Sequence, residues 1–90
     1  MPEMFFSIRW PDGTCMACAS PSTVIARHLP PAVYTLADFL DRAQTGFAAA
    51  SERVREVYGF PCSRAAAQLQ AIEVAARGFS GEEQVIVEPT

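Results

Sequence analysis

A long apolar stripe between Thr35 and Gly59 most constrains the fold of this chain. Its members recur at the spacing of one helix face: Leu36, Phe39, Leu40, Ala43, Phe47, Ala50, Val54, Val57 and Tyr58. Thr35 is a suitable N-cap with Asp38 three residues later, and Gly59 is typical of the position just past a helix end. The stripe predicts one helix about 36 Å long. Gly46 is its weak point, because glycine costs up to about 1 kcal/mol relative to alanine.

A β-hairpin is predicted before this helix. Alternating residues give the first strand one apolar face, made of Met4, Phe6, Ile8 and Trp10. Pro11-Asp12-Gly13 predicts a tight turn with a bulge at Gly13. The second strand then runs from Thr14 to Ala19. Pairing Trp10 with Thr14 gives the register: Ile8 opposite Met16, Phe6 opposite Cys18, and Cys15 and Ala17 on the other face.

Two further helices and a last strand complete the prediction. Ser20 is expected to cap a short helix with Pro21 as its first residue, and this helix must end by Leu29, before two prolines. A third helix is expected from Cys62 or Ser63 to Arg77, and a strand from Gln84 to Glu88. The order β-β-α-α-α-β predicts one α+β domain over residues 1–90. We expect a three-stranded sheet, with the last strand beside and parallel to the first, and three helices on one face.

Composition restricts the class of partner. The net charge is −3 and all seven basic residues are arginine, and the isoelectric point is near 4.9. We therefore expect neither nucleic acid nor an anionic membrane as the main partner. No stretch reaches the roughly 18 apolar residues of a membrane span. Glu3 and the lack of basic residues before Arg9 argue against a signal peptide, so we expect a cytoplasmic protein with reduced thiols.

Cys62 is the strongest candidate for chemistry. It lies where a helix is expected to begin, and a helix N-terminus favours a thiolate. Pro61 fixes the approach of the chain and Ser63 offers a hydroxyl nearby. A nucleophilic thiol also needs a base, and His28 is the one histidine of the chain. The alternative is that Cys62 fills a small space where this helix packs on the sheet.

The other candidate groups favour structural roles. Cys15 and Cys18 have the spacing of redox and zinc motifs, but residues three apart on a strand point to opposite faces. We expect Cys18 in the core, Cys15 partly exposed, His28 on the surface, and no metal or cofactor. Glu52, Arg53, Arg55 and Glu56 predict a solvated patch of mixed charge. For ligand or partner contacts, the predicted residues are Trp10, Tyr58, Phe60 and Ser63. Trp10 and Tyr34 would line a surface groove, with a lid over the core as the other interpretation of Trp10.

Five segments together resemble a known family. They are Arg-Trp-Pro-Asp-Gly (9–13), Ser-Pro-Ser (20–22), Leu-Ala-Asp-Phe (36–39), Ser-Glu-Arg-Val-Arg (51–55) and Tyr-Gly-Phe-Pro-Cys-Ser (58–63). The chain resembles small bacterial nitrogen-starvation response proteins over nearly its whole length. The resemblance implies a gene cluster with a nitrilase, a radical-SAM protein, an acetyltransferase and a flavin-dependent oxidoreductase. It implies no assigned activity and no catalytic residues.

Two hypotheses about function follow. The first is a non-enzymatic accessory protein in nitrogen scavenging that binds a protein partner or a small metabolite, with a homodimer as the expected assembly. The second is a small thiol enzyme or redox protein that uses Cys62. Small size, the lack of a paired catalytic set and an alanine-rich helix surface favour the first hypothesis.

Overall fold

The computed structural model describes residues 3–20, 22–60 and 63–89, and these form an α+β domain. In chain order, the elements are β1 (Met4–Arg9), β2 (Cys15–Ser20), α1 (Ile25–His28), β3 (Ala32–Thr35), α2 (Leu36–Tyr58), α3 (Ser63–Ala76) and β4 (Gln84–Pro89). The strands form one antiparallel sheet in the order β2-β1-β4-β3. The predicted α+β class is confirmed, but the predicted three-stranded sheet and the order β-β-α-α-α-β are wrong.

The hairpin of β1 and β2 forms in the predicted register. Ile8 pairs with Met16 and Phe6 pairs with Cys18. Gly13 adopts a φ of 88°, which glycine reaches without strain. Asp12 accepts hydrogen bonds from the backbone N–H and the hydroxyl of Thr14, which close the turn and lower the pKa of the Asp12 carboxyl.

Strand β3 was missed because it is short and follows two prolines directly. It pairs with β4, with Tyr34 opposite Val85. Tyr34 is buried, and its hydroxyl donates a hydrogen bond to the carbonyl of Pro30. Because four residues give almost no alternating pattern, this strand is identified only by its pairing with β4 in the structure.

Strand β4 runs antiparallel to β1, and the parallel arrangement predicted from the sequence is wrong. The start of α2 explains the direction. The N–H of Leu36 donates to the carbonyl of Glu83 at 2.8 Å, and that of Ala37 donates to Gly81 at 3.1 Å. N–H groups of the first helical turn have no acceptor within the helix, and these two instead hold the loop before β4 at the N-terminus of α2. The chain therefore enters β4 at the end of the sheet where β1 finishes.

Helix α1 begins later than predicted. Ser20 is the last residue of β2 and does not cap a helix, while Pro21 lies outside the described residues. The Ser20 hydroxyl instead donates to the carbonyl of Ser22 at 2.8 Å. The predicted end of the helix before Leu29 is confirmed.

Helix α2 begins and ends where the sequence predicts. Thr35 caps it by accepting a hydrogen bond from the N–H of Asp38, and Gly59 ends it at a φ of 87°. Gly46 has a positive role there: a Cβ at this position would lie 2.5 Å from Cδ1 of Ile25 and 3.0 Å from Cβ of His28. Helix α1 thus packs against α2 at a distance that only glycine allows.

The core lies between the helices and one face of the sheet. Its fully or nearly fully buried members include Phe6, Ile8, Phe39, Phe47, Ile72, Val85 and Val87. The opposite face of the sheet is open, and Phe5 and Val33 are each 56% exposed there.

Candidate functional site

The end of helix α2 presents three large apolar side chains to solvent. Val54 is the last buried residue of the stripe, whereas Val57 and Tyr58 are 57% and 55% exposed. Phe60, just past the helix, is 66% exposed. We call Val57, Tyr58 and Phe60 the apolar tip. Val57 and Tyr58 were predicted as part of the stripe that packs on the fold, and their exposure corrects that prediction.

The length of α2 explains the exposure. A helix of 23 residues extends about 35 Å, whereas the six-residue strands beneath it extend about 20 Å. The helix therefore projects beyond the sheet. Gly59 then turns the chain through its left-handed conformation, its N–H donating to the carbonyl of Arg55 at 2.8 Å.

Three of the four predicted binding residues lie at this junction. Tyr58 and Phe60 belong to the apolar tip, and Ser63 is the exposed first residue of α3. Pro61 and Cys62, between them, lie outside the described residues. The predicted Cys62 thiol site and its relation to His28 therefore stay predictions.

Trp10 belongs to the other end of the molecule. Its ring meets Phe39 edge-on, with 5.9 Å between centroids, and stacks on Phe79 at the same distance. Phe39 and Tyr58 are separated by about 28 Å along α2, so Trp10 is not brought to the apolar tip. Trp10 is only 4% exposed. The indole covers the core, and its Nε1–H has no hydrogen-bond partner among the described residues.

A shallow groove of about 530 Å³ lies beside Trp10. Its lining residues are Arg9, Trp10, Pro11, Gly13, Glu82, Glu83, Gln84 and Ile86. Tyr34, which was predicted to share this groove, does not line it. Arg9 is paired with Glu88 at 3.4 Å. The groove thus holds both signs of charge, and its arginine already has a carboxylate partner.

The two cysteines of β2 lie on opposite sides of the sheet, as expected. Cys15 is exposed, whereas Cys18 is buried. Burial raises the pKa of the Cys18 thiol to about 12. Its sulfur lies 3.6 Å from Nε2 of Gln68, and the side-chain oxygen of Gln68 accepts from the N–H of Ala19 at 3.2 Å. Cys18 is therefore a neutral core residue at pH 7, with no route to a nucleophilic thiolate there.

His28 ends α1 and is half-buried against α2. Across residues 3–20, 22–60 and 63–89, no group of three or more His, Cys, Asp or Glu side chains is placed to hold a metal ion. Within the same ranges, no helix combines the length and apolar character that crossing a bilayer requires.

The predicted patch of mixed charge lies on the last turns of α2. Arg53 pairs with Glu56 at 3.4 Å, and Arg55 pairs with Glu52 at 3.9 Å. All four side chains are mostly exposed. These ion pairs lie on the helix turns next to the apolar tip and form a polar rim in which two glutamates balance two arginines.

Sequence reasoning missed part of this exposed apolar surface. Val57 was placed on the apolar stripe of the helix, because periodicity identifies which face of a helix is apolar but not how much of that face the rest of the fold covers. Val33, on the open sheet face, was missed together with its strand, whereas the alternation of the first strand already placed Phe5 on the face opposite Phe6 and Ile8.

The comparisons with known proteins support the family resemblance. The sequence model of the family described as nitrogen starvation-induced protein NitG matches residues 5–90. No curated protein and no solved structure gave a significant match. Because the match covers nearly the whole chain, this protein belongs to the NitG family of nitrogen starvation-induced proteins.

Proposed function

We propose that this nitrogen starvation-induced protein is a non-enzymatic accessory protein that binds another protein through the apolar tip. The observation that supports this is the grouping of Val57, Tyr58 and Phe60, each more than half exposed, at the end of one rigid helix. Exposed apolar side chains that are contiguous and surrounded by polar groups are characteristic of interaction sites.

The composition of the tip favours a protein as the partner. Aromatic residues are enriched in the centres of protein interfaces, and a polar rim surrounds such centres. Here the rim consists of two arginines and two glutamates in ion pairs. A rim without net charge offers little attraction to nucleic acid or to an anionic lipid surface, which both need excess positive charge.

The backbone at the tip also favours binding. Gly59 adopts a φ of 87° and its N–H donates to the carbonyl of Arg55 at 2.8 Å, which sets the direction in which Phe60 leaves the helix. The side chains are therefore presented by an ordered helix end and not by a long loop, which lowers the entropy lost on binding.

The test is site-specific photo-crosslinking in nitrogen-starved cells, followed by binding measurements with the purified partner. A photoreactive phenylalanine analogue replaces Phe60 in one variant and Phe5 in the control, since both side chains are largely exposed. We expect one protein to crosslink at position 60 and not at position 5. With that protein purified, Phe60→Ala should weaken binding about tenfold or more, and Phe5→Ala should leave it unchanged.

Two results would contradict the proposal. Equal loss from Phe60→Ala and Phe5→Ala would show that the tip has no special role. A dimer of the purified chain that Phe60→Ala dissociates in sedimentation equilibrium would show that the tip binds a second copy and not another protein.

The thiol-enzyme hypothesis is tested separately. Titration of the purified thiols against pH, with Cys62→Ala alongside, asks whether one thiolate has a pKa well below that of an ordinary cysteine. A reactive thiol that disappears in the variant would favour the enzyme. Thiols of ordinary reactivity throughout would leave the accessory role.

A further inference from the structure

A second surface feature lies between α1 and α2 and shares no residue with the apolar tip. It is a hollow of about 300 Å³ lined by Ser22, Thr23, Val24, Arg27 and Arg53. This volume is at the lower end of the range of small-molecule sites. The hollow would hold one small polar group and not a large metabolite.

The charge of the hollow is opposite to that of the whole protein. The chain has a net charge of −3 and seven basic residues, and two of the seven line this one hollow. Among the residues that the structure describes, those lining the hollow include no carboxylate. Two arginines on one small concave surface give it a local excess of positive charge, which favours an anion as the ligand.

The two arginines are available to a ligand. Among the described residues, Arg27 has no carboxylate within 4.0 Å. Arg53 is paired with Glu56 at 3.4 Å, but both side chains are more than half exposed. Such a solvated pair contributes little, so an anion with more than one oxygen can compete for the guanidinium.

The backbone beneath the hollow is held in place. The Ser22 N–H donates to the hydroxyl of Ser20 at 3.3 Å, and the Ser22 hydroxyl accepts from the N–H of Val24 at 3.3 Å. Ser22 is only 5% exposed. The contact of α1 with Gly46 fixes the distance between the two helices. Arg53 lies two turns after Gly46 and so on the same face of α2, which directs it towards α1.

We propose that this hollow binds a phosphate group through Arg27 and Arg53. A carboxylate has two oxygens, which one guanidinium can bind in full, whereas a phosphate carries more than one negative charge near neutral pH and has enough oxygens for two guanidinium groups. The binding is non-covalent. The phosphate belongs either to inorganic phosphate or to a small phosphomonoester, because both present the same oxygens to the arginines.

Binding is measured by amide and arginine side-chain NMR during titration with inorganic phosphate, at constant ionic strength with chloride as the replaced anion. We expect saturable shifts centred on Val24, Arg27 and Arg53. Arg27→Gln and Arg53→Gln should each weaken phosphate binding about tenfold or more. Arg77→Gln is the matched control, because it removes the same charge from an exposed arginine outside the hollow.

Lysine variants and other anions complete the test. Arg27→Lys and Arg53→Lys should bind phosphate with intermediate affinity, because lysine keeps the positive charge but cannot donate two parallel hydrogen bonds as a guanidinium does. Glycerol 3-phosphate bound more tightly than inorganic phosphate would identify the ligand as a phosphomonoester; equal affinities would identify free phosphate. Acetate binding as tight as phosphate, shifts spread over the whole surface, or equal weakening by Arg77→Gln would overturn the proposal. Arg53 belongs both to this hollow and to the rim of the apolar tip, whereas Arg27 belongs to the hollow alone. Loss of phosphate binding in Arg27→Gln therefore tests the hollow separately from protein docking, which is tested by Phe60→Ala.

Discussion

The two ends of helix α2 have the same spacing of apolar residues but opposite environments. The first end carries Leu36 and Phe39, which are 2% and 0% exposed, beneath Trp10 and against the sheet. The last turn carries Val57 and Tyr58, which are more than half exposed. The apolar periodicity is the same in both, so the pattern alone does not decide burial. The length of the strands decides which apolar residues of the helix are buried, because the helix is longer than the sheet on which it packs.

The largest expected effect separates the two ends directly. Phe39→Ala should lower the free energy of unfolding by about 3–5 kcal/mol, because it leaves a cavity under Trp10. Phe60→Ala is the matched control and should change stability by less than about 0.5 kcal/mol. Urea unfolding followed by circular dichroism measures both. A large loss from Phe60→Ala would mean that the tip is part of the core.

The middle of the helix gives the next effect. Gly46→Ala should destabilise the protein by about 1–3 kcal/mol, since the new Cβ would lie 2.5 Å from Ile25 Cδ1 and 3.0 Å from His28 Cβ. In an open helix the same change would stabilise by up to about 1 kcal/mol. Thermal unfolding gives the sign. A stabilised Gly46→Ala variant would show that α1 does not pack closely on α2.

The buried thiol of Cys18, which lies in β2 beside Gln68 of α3, leads us to expect that stability depends on alkaline pH. Burial raises the folded pKa of Cys18 to about 12, from 9.0 for an ordinary thiol. The thiol contributes its full stabilisation at any pH below its pKa in the unfolded chain. That contribution is lost as the pH rises through the pKa of the thiol in the folded protein. Stability should therefore fall between about pH 9 and 12, by up to about 1.4 kcal/mol per pH unit.

Unfolding in urea at several alkaline pH values measures this slope. The slope of stability against pH reports how many more protons the folded state binds than the unfolded state. Cys18→Ala should lower that difference by about one proton, and Cys15→Ala, at an exposed thiol of the same strand, should leave it unchanged. An unchanged slope in Cys18→Ala would mean that water reaches the Cys18 sulfur.

The smallest effect concerns the residue that ends α2. Gly59→Ala should cost about 1–2 kcal/mol, because a φ of 87° is unfavourable for a residue with a Cβ, although no atom lies within 4 Å. Gly78→Ala is the control, since that glycine has neither a positive φ nor a nearby atom. Equal stability of both variants would show that the tip rearranges easily and is not a rigid binding element.

Much of the candidate site could be predicted because it depends on local signals. Gly59 marks the end of a helix through its own conformational freedom, and Tyr58 and Phe60 flank it in the sequence. Their exposure could not be predicted, since it depends on the length of strands far away in the chain. The hollow of Arg27 and Arg53 could not be predicted either, because α1 and α2 meet there only through the packing at Gly46.

The sequence by itself determined the elements that close over a few residues. These are the hairpin register with its bulge at Gly13, the helix between Thr35 and Gly59, and the strand that follows Gly81. The turn at Gly13, the helix and the turn at Gly81 depend on hydrogen bonds and conformations within about four residues, which composition and spacing specify directly. Only the tertiary structure decided the pairing of β3, the antiparallel direction of β4 and the exposure of the apolar tip. These features depend on contacts between distant residues, where the common core and not the local pattern selects the arrangement.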